Sequence, residues 1–493
     1  MNERQRPNPT PLLDALRRCA SRPHAPFYAP GHKQGRGTPA SLAKLLGHSA
    51  LAADLPELPE LDNLFAPAGA IREAEDLAAE TFGSDRARFL ANGSTGGIMA
   101  AILATCNPGD QIILPRNVHR CAISGLILSG AVPGFVAPEY DPYWDIAHTV
   151  APEAIAAALE QHPEAKAILV VSPTYHGVSA DLEAIAGLAH QADIPLLVDE
   201  AHGSHFAFHS DFPKPALASG ADLTVQSIHK TLAALSQAAM LHLRGTRVDR
   251  DRLEFALTLV QSTSPNYLLL ASLDAARSQM ARDGKALMSH TLTLAQTART
   301  RLAELPHLAA LESRHLPPGC TLDPTRLTVG TTGLGLSGFD ADDILHEQLA
   351  VTAELPGYRH LTFIISLGND QDDIDRLLDG LAALAGRSQP TPFPDLPIGV
   401  PAGSLSIPSI SPREAFFAPT VRLQRDRAIG RPSAELICPY PPGIPALMPG
   451  EIVSREAIDF LQQALARGGT ITGCSDPKLE TLTVVSDESL NAG

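Results

Sequence analysis

The sequence predicts an α/β protein built on a mainly parallel sheet, followed by a smaller α+β domain and a C-terminal α+β domain. Three observations carry this. From about residue 76 to 243, short apolar runs of strand length alternate with helix-like segments, the pattern of a sheet covered on both faces. Over 281–387 long Ala/Leu-rich segments take over, with few strands between them. The stretch 388–412 then holds seven prolines, which marks a linker or an extended crossing segment. A last unit follows over 413–493.

In chain order, residues 1–75 are rich in Pro and Gly with little periodicity. "FYAPGHKQGRG" (27–37) and "DLPELPELDNLFAPAG" (54–69) read as extended arm and loop. The large domain spans 76–280. It opens with a helical "EDLAAETFG" and the strand "ARFLA", then the helical "TGGIMAAILATC" and the strand "QIILP". "AKAILVV" (165–171), "IPLLVD" (194–199), "DLTVQ" (222–226) and "AAMLHL" (238–243) are further strands, with the helical "DLEAIAGLAHQA" (181–192) among them. In the small domain, 281–387, "LTVGTTGLGL" and "LTFIISLG" read as strands.

At 493 residues the chain exceeds one core and calls for two or three domains. Hydrophobic residues at 44 % and charged ones at 19 % exclude a mostly disordered chain. No apolar run approaches the roughly 18 residues that span a bilayer. The start "MNERQRPNPTPLLDALRR" has no apolar signal-peptide core, so the expected location is the cytoplasm and no membrane partner is expected. The net charge of −16 argues against nucleic acid and favours small cationic ligands. None of the six cysteines is spaced as CxxC, so neither a zinc site nor a disulfide framework is indicated. Reduced thiols fit a cytoplasmic chain.

In an open parallel sheet, ligands gather at the carboxyl ends of the strands. Three features of the sequence fall at such ends. "ANGSTGGIMAAIL" (91–103) is a strand end, a small-residue turn and a helix start. Backbone N–H groups there reach a bound anion, and Ser94 and Thr95 add hydroxyls. Asp199 ends the apolar strand of "IPLLVDEAHGSH" and requires a partner. With His202 and His205 it could hold a metal, but no second acidic cluster supports one and none is expected. Lys230 in "VQSIHKTLAALSQ" follows another strand, where desolvation depresses an amine's pKa and prepares a nucleophile. A snorkelling surface lysine would be the alternative for Lys230 taken alone.

Taken together, an anion-binding helix start, an acid and a lysine are what pyridoxal 5′-phosphate requires. The helix takes the phosphate, the acid keeps the pyridine nitrogen protonated, and the lysine bonds the aldehyde carbon. Ser227 and His229 flank the lysine and could add phosphate contacts. His119 in "PRNVHRCAIS", after the strand "QIILP", could stack on the ring.

These segments resemble the Orn/Lys/Arg decarboxylase family of fold-type-I pyridoxal-phosphate enzymes, in the short form without an N-terminal wing domain. The resemblance runs over nearly the whole chain. It rests on "APGHKQGRG", "NGSTGGIM", "PRNVHR", "SPTYHGV", "VDEAHGSHFAFH", "QSIHKTLAALSQ", "STSPNYLLLASLDAAR", "YPPGIPALMPGE" and "ITGCSDPKLETLTVV". It implies that Lys230 carries the cofactor, Asp199 pairs with the ring nitrogen and His119 stacks on the ring. Ser94, Thr95, Gly96, Ser227 and His229 would serve the phosphate, and Thr263 would reach the phosphate of a neighbouring subunit. That makes a homodimer, or a higher oligomer, with sites at the subunit interface. Ala201 leaves room beside the ring. His202 stands where the acid-inducible long forms tend to carry tryptophan, which is similar to the arginine-decarboxylase-like branch. The residues 1–75 would form the entrance to the site.

The implied reaction removes the carboxyl group of a basic amino acid: arginine to agmatine foremost, or lysine to cadaverine, or ornithine to putrescine. Its place would be polyamine biosynthesis. His229, Lys230 and Cys474 are the candidate proton donors. Glu451 is expected to serve subunit packing or substrate contact, and Asp54, Glu57, Glu60 and Asp62 to select among the substrates. An aminotransferase or other pyridoxal-phosphate lyase, and a non-catalytic homologue that binds a partner, are the competing readings.

Overall fold

Strands form where the sequence concentrates Ile, Leu and Val, because β-branched and apolar side chains fit a surface packed on both faces. The computed structural model describes residues 8–387, 393, 409–440 and 444–487. The chain divides into two units, Met1–Ala104 with Glu200–Ser289, and Thr105–Asp199 with His290–Gly493.

In the first unit the strands Arg86–Leu90, Ala239–Leu243 and Leu223–Gln226 pair antiparallel in that spatial order. Phe89 and Leu90 lie opposite Met240 and Ala239, and all four are buried. The helix Gly93–Thr105 follows the first of these strands. It packs so closely that a Cβ on Gly97 would come within 2.7 Å of Leu90 and Val225 side-chain atoms. Only glycine lets the helix start lie this near the strands.

The N-terminal arm differs from the sequence expectation. The segments 27–37 and 54–69 are turns and loop, the latter with one 3₁₀ turn, but Pro11–Ser21 and Ala40–Ala53 are helices. Proline opens the first helix at its start, where a missing N–H costs nothing. Leu12, Ala15, Leu16 and Cys19 then recur at helical spacing and are buried. The short period was masked by the prolines around it.

In the second unit Gln111–Pro115, Val132–Val136, Ala167–Val171 and Leu196–Asp199 are parallel strands. Their central residues are buried on both faces, as near-continuous apolar runs require. Val132–Val136 was not anticipated: a proline and a glycine interrupt its apolar run. An antiparallel sheet of Ala309–Ala310, Arg326–Gly330, His360–Ile364 and Leu355–Pro356 packs with the helices Gly338–Leu349 and Gln371–Arg387 around Leu327, Val329, Leu361, Leu378 and Leu381. Toward the C-terminus, Thr420–Gln424 pairs antiparallel with Thr481–Val485, and Cys438–Tyr440 with Thr470–Thr472, around the helix Arg455–Ala466. The expected domain change at 280/281 falls within the 36-residue helix Tyr267–Leu302. The proline-rich segment lies mostly outside the described residues.

Candidate active site

In the first unit, the strand Leu223–Gln226 is buried throughout and delivers Ser227, His229 and Lys230 in one short turn. Ser227 Oγ donates to Ser94 Oγ at 2.8 Å. Two hydroxyls therefore meet at the start of the helix Gly93–Thr105, where the first N–H groups have no partner within the helix. That is an anion-binding geometry, and Thr95 and Gly96 belong to the same first turn. Thr95 is exposed and Gly96 buried.

Lys230 Nζ lies 2.9 Å from Nε2 of the buried His202. One of the pair donates and the other accepts, so the amine has a defined direction. Ala201 beside His202 is buried. Burial, and next the charge of Lys230, push the His229 imidazole below its usual pKa. His229 is thus held neutral near neutral pH, which suits a hydrogen-bond donor better than an imidazolium acid. His205 is buried among Phe206 and Phe212. Thr263 is exposed in the loop between the helix Arg250–Val260 and the long helix that follows.

Glu200 was not singled out from sequence, yet it organises this turn. Its backbone N–H donates to Val225 O at 2.9 Å. Its carboxyl accepts from Gln226 Nε2 at 2.7 Å and from Ala216 N–H at 2.8 Å. Burial pushes its pKa up to about 7, although both hydrogen bonds oppose the shift.

In the second unit, Asp199 ends the strand Leu196–Asp199, is buried, and its carbonyl accepts from Ser172 N–H at 3.1 Å. Tyr175 of "SPTYHG" is pushed up to about 12, first by burial and then by the Asp199 charge. His119 caps the helix Arg120–Ser129: Cys121 N–H donates to its Nδ1 at 3.3 Å. A backbone N–H can only donate, so Nδ1 is the acceptor of that bond. Cys474 Sγ donates to Asp476 O at 3.3 Å, and burial raises its pKa.

The arm carboxylates are engaged locally. Asp62 accepts from the N–H groups of Asn63, Ala68, Gly69, Ile71 and Arg72. Burial works to raise its pKa, but those N–H groups outweigh it and hold the carboxyl below the usual range. Asp54 bonds His32 at 3.0 Å, Glu57 accepts from Asn63 at 2.6 Å, and Glu60 pairs with Arg22 at 2.7 Å. Glu451 forms a buried ion pair with Arg116 at 2.8 Å, inside the second unit.

Hydroxyls that meet on a helix start can receive an anion, and the turn that supplies Ser227 also carries the Lys230 amine. Residues 10–318 match the family described as "Orn/Lys/Arg decarboxylase, major domain", and residues 407–474 match "Orn/Lys/Arg decarboxylase, C-terminal domain". The arginine decarboxylase of Bacillus subtilis (strain 168) is 39 % identical over 97 % of this chain and 98 % of its own length. That of Bacillus anthracis is 37 % identical over 97 % of each. Among solved structures, the lysine decarboxylase of Francisella novicida superposes with a TM-score of 0.85 at 21 % identity, over 97 % of this chain and 81 % of that one. The chain belongs to the Orn/Lys/Arg decarboxylase family. It is a carboxy-lyase of basic amino acids, and the aminotransferase and non-catalytic readings fall away.

Proposed function

We propose that this chain is a pyridoxal 5′-phosphate-dependent arginine decarboxylase, converting arginine and a proton into agmatine and carbon dioxide. The observation that carries the chemistry is the Ser94–Ser227 hydroxyl pair on a helix start, three residues before an amine held against His202. The choice of arginine rests on the near-full-length likeness to the two arginine decarboxylases.

The residues fit the cofactor. Ser94, Thr95, Gly96, Ser227 and His229 would hold its phosphate, Lys230 its aldehyde carbon, and Asp199 its ring nitrogen, with His119 on the ring face. When bound, the cofactor supplies an electron sink for the pair left behind by carbon dioxide. Lys230 would hold the cofactor when no substrate is bound. His202, 2.9 Å away, can exchange a proton with that amine in either direction. Tyr175, pushed up by burial and by the Asp199 charge, stays protonated.

Assembly as a homodimer, or a higher oligomer, belongs to the same reading, with Thr263 reaching a neighbour's phosphate. Phe27, Leu45, Phe255 and Leu259 are each more than three-fifths exposed in the first unit, and apolar surface of this size favours a protein partner. A role in polyamine biosynthesis follows from agmatine as product. A cytoplasmic location fits six free cysteines. Among the described residues, no helix is long and apolar enough to cross a membrane.

The test is an amine-product assay of the cofactor-loaded protein on arginine, lysine and ornithine side by side. Agmatine as the dominant product is expected. Cadaverine or putrescine in excess would move the substrate, and no amine from any of the three would overturn the reading.

A further inference from the structure

One buried pair is left over by the site. Arg116 directly follows the strand Gln111–Pro115 and opens the four-residue turn that ends in His119. Its backbone N–H donates to Val136 O at 2.9 Å, which holds the turn to the sheet. Its side chain points away, into the C-terminal part of the chain. Nη2 donates to Glu451 Oε2 at 2.8 Å and to Ala446 O at 3.2 Å, and the guanidinium lies 5.3 Å from the Phe135 ring centre. Both side chains are at most 2 % exposed.

Glu451 is itself the end of a rigid turn. Its Oε2 also accepts from Met448 N–H at 2.8 Å, and its backbone N–H donates to Met448 O at 3.1 Å. Gly450 has φ +89°, and a Cβ there would come within 2.2 Å of Ile410 O, so no other residue fits. The same turn is tied to the strand Cys438–Tyr440 by Ile437 N–H to Leu447 O at 2.8 Å and Ala446 N–H to Ile437 O at 2.9 Å.

Burying two charges costs several kcal/mol per ion, and an apolar pair of similar size packs as well or better. The return on such a pair is registry: it forms only when both backbones are in place. We propose that Arg116 and Glu451 are a positioning pair for decarboxylation. Their ion pair locks the 446–451 turn to the turn that presents His119. The inference rests on His119 serving the cofactor ring, as in the reading above. They act through His119.

The experiment uses the full-length, cofactor-loaded protein. Glu451→Gln and the double variant Arg116→Met with Glu451→Leu are compared with wild type in thermal midpoint, visible absorption of the bound cofactor, and kcat and KM for arginine. The double variant removes the buried charges together and so protects against simple misfolding. In both variants the cofactor stays bound, its visible band shifts, and kcat per bound cofactor falls by about 10²-fold, as for a misplacement of about 1 Å. KM stays within about threefold, because ground-state binding is untouched. Arg116→Lys, which keeps the charge but one donor direction, recovers part of kcat. A double variant with wild-type kcat per bound cofactor and an unshifted band overturns the inference, since the pair would then serve packing alone. Wild type that forms no amine and shows no band would remove the functional reading and this inference with it. Wild type that is active beside variants that match it removes the inference only.

Discussion

The acidic arm and the strand-end turn of the first unit both concentrate polar groups, and they use them in opposite ways. In the arm, Asp54, Glu57, Glu60 and Asp62 each bond a neighbour within the same unit, and Asp62 alone collects five backbone N–H groups. Those carboxylates hold the arm's shape. At the strand end, Ser227 meets Ser94 across 133 residues of sequence, and Lys230 meets His202 across 28. These groups come together from distant segments, beside a helix start. Charge density in a sequence therefore does not mark a site; polar groups converging from distant segments do.

The comparison breaks first at Lys230. Lys230→Ala should lower kcat by at least about 10⁴-fold, the scale of removing a nucleophile, and abolish reduction of a protein–cofactor bond by borohydride. Turnover near wild type would send the amine's role elsewhere. Next, Asp199→Asn should keep the cofactor, measured by its visible absorption, yet lose about 10²-fold or more in kcat. A rate within about threefold of wild type would remove Asp199 from the ring-nitrogen role.

Glu200 sharpens the comparison through pH. Its folded pKa of about 7 stands above the unfolded carboxyl value of 4.5. Its neutral form is the favoured one in the fold, so this contribution is complete below about pH 4.5 and is lost as pH rises through about 7. The difference amounts to about 3 kcal/mol at the alkaline end, at 1.36 kcal/mol for each pH unit. Glu200→Gln should therefore flatten the fall in thermal midpoint between pH 5 and about 8. Equal slopes in variant and wild type would show that the carboxyl titrates normally.

The arm should yield the smallest effects. Asp62→Asn removes a charged cap from the helix Ala70–Phe82 and should destabilise the fold by about 1–2 kcal/mol. Glu60→Gln, in an exposed pair, should change stability by less than about 1 kcal/mol. Both should leave the ratio of kcat/KM among arginine, lysine and ornithine unchanged. A shifted ratio in either would restore the arm as a determinant of substrate choice.

Much of this was legible in the sequence because it is local. Apolar runs such as "QIILP" and "IPLLVD" set their own strands, and the residues just after a strand are placed by that strand's end. Ser94, Asp199, Ser227 and Lys230 could thus be picked out one at a time, as could the family from its ordered segments. What a side chain finds at the far end of its reach is not local. Asp62 lies in a run of carboxylates and Lys230 just after an apolar strand, and neither setting tells that one caps a helix and the other faces a histidine. Arg116 sits in the quoted "PRNVHR" and Glu451 in "YPPGIPALMPGE", 335 positions apart, and no spacing rule joins them. Only the folded chain, by excluding water around both, forces that pair to form, because a buried charge without its counter-ion costs more than the fold can spare.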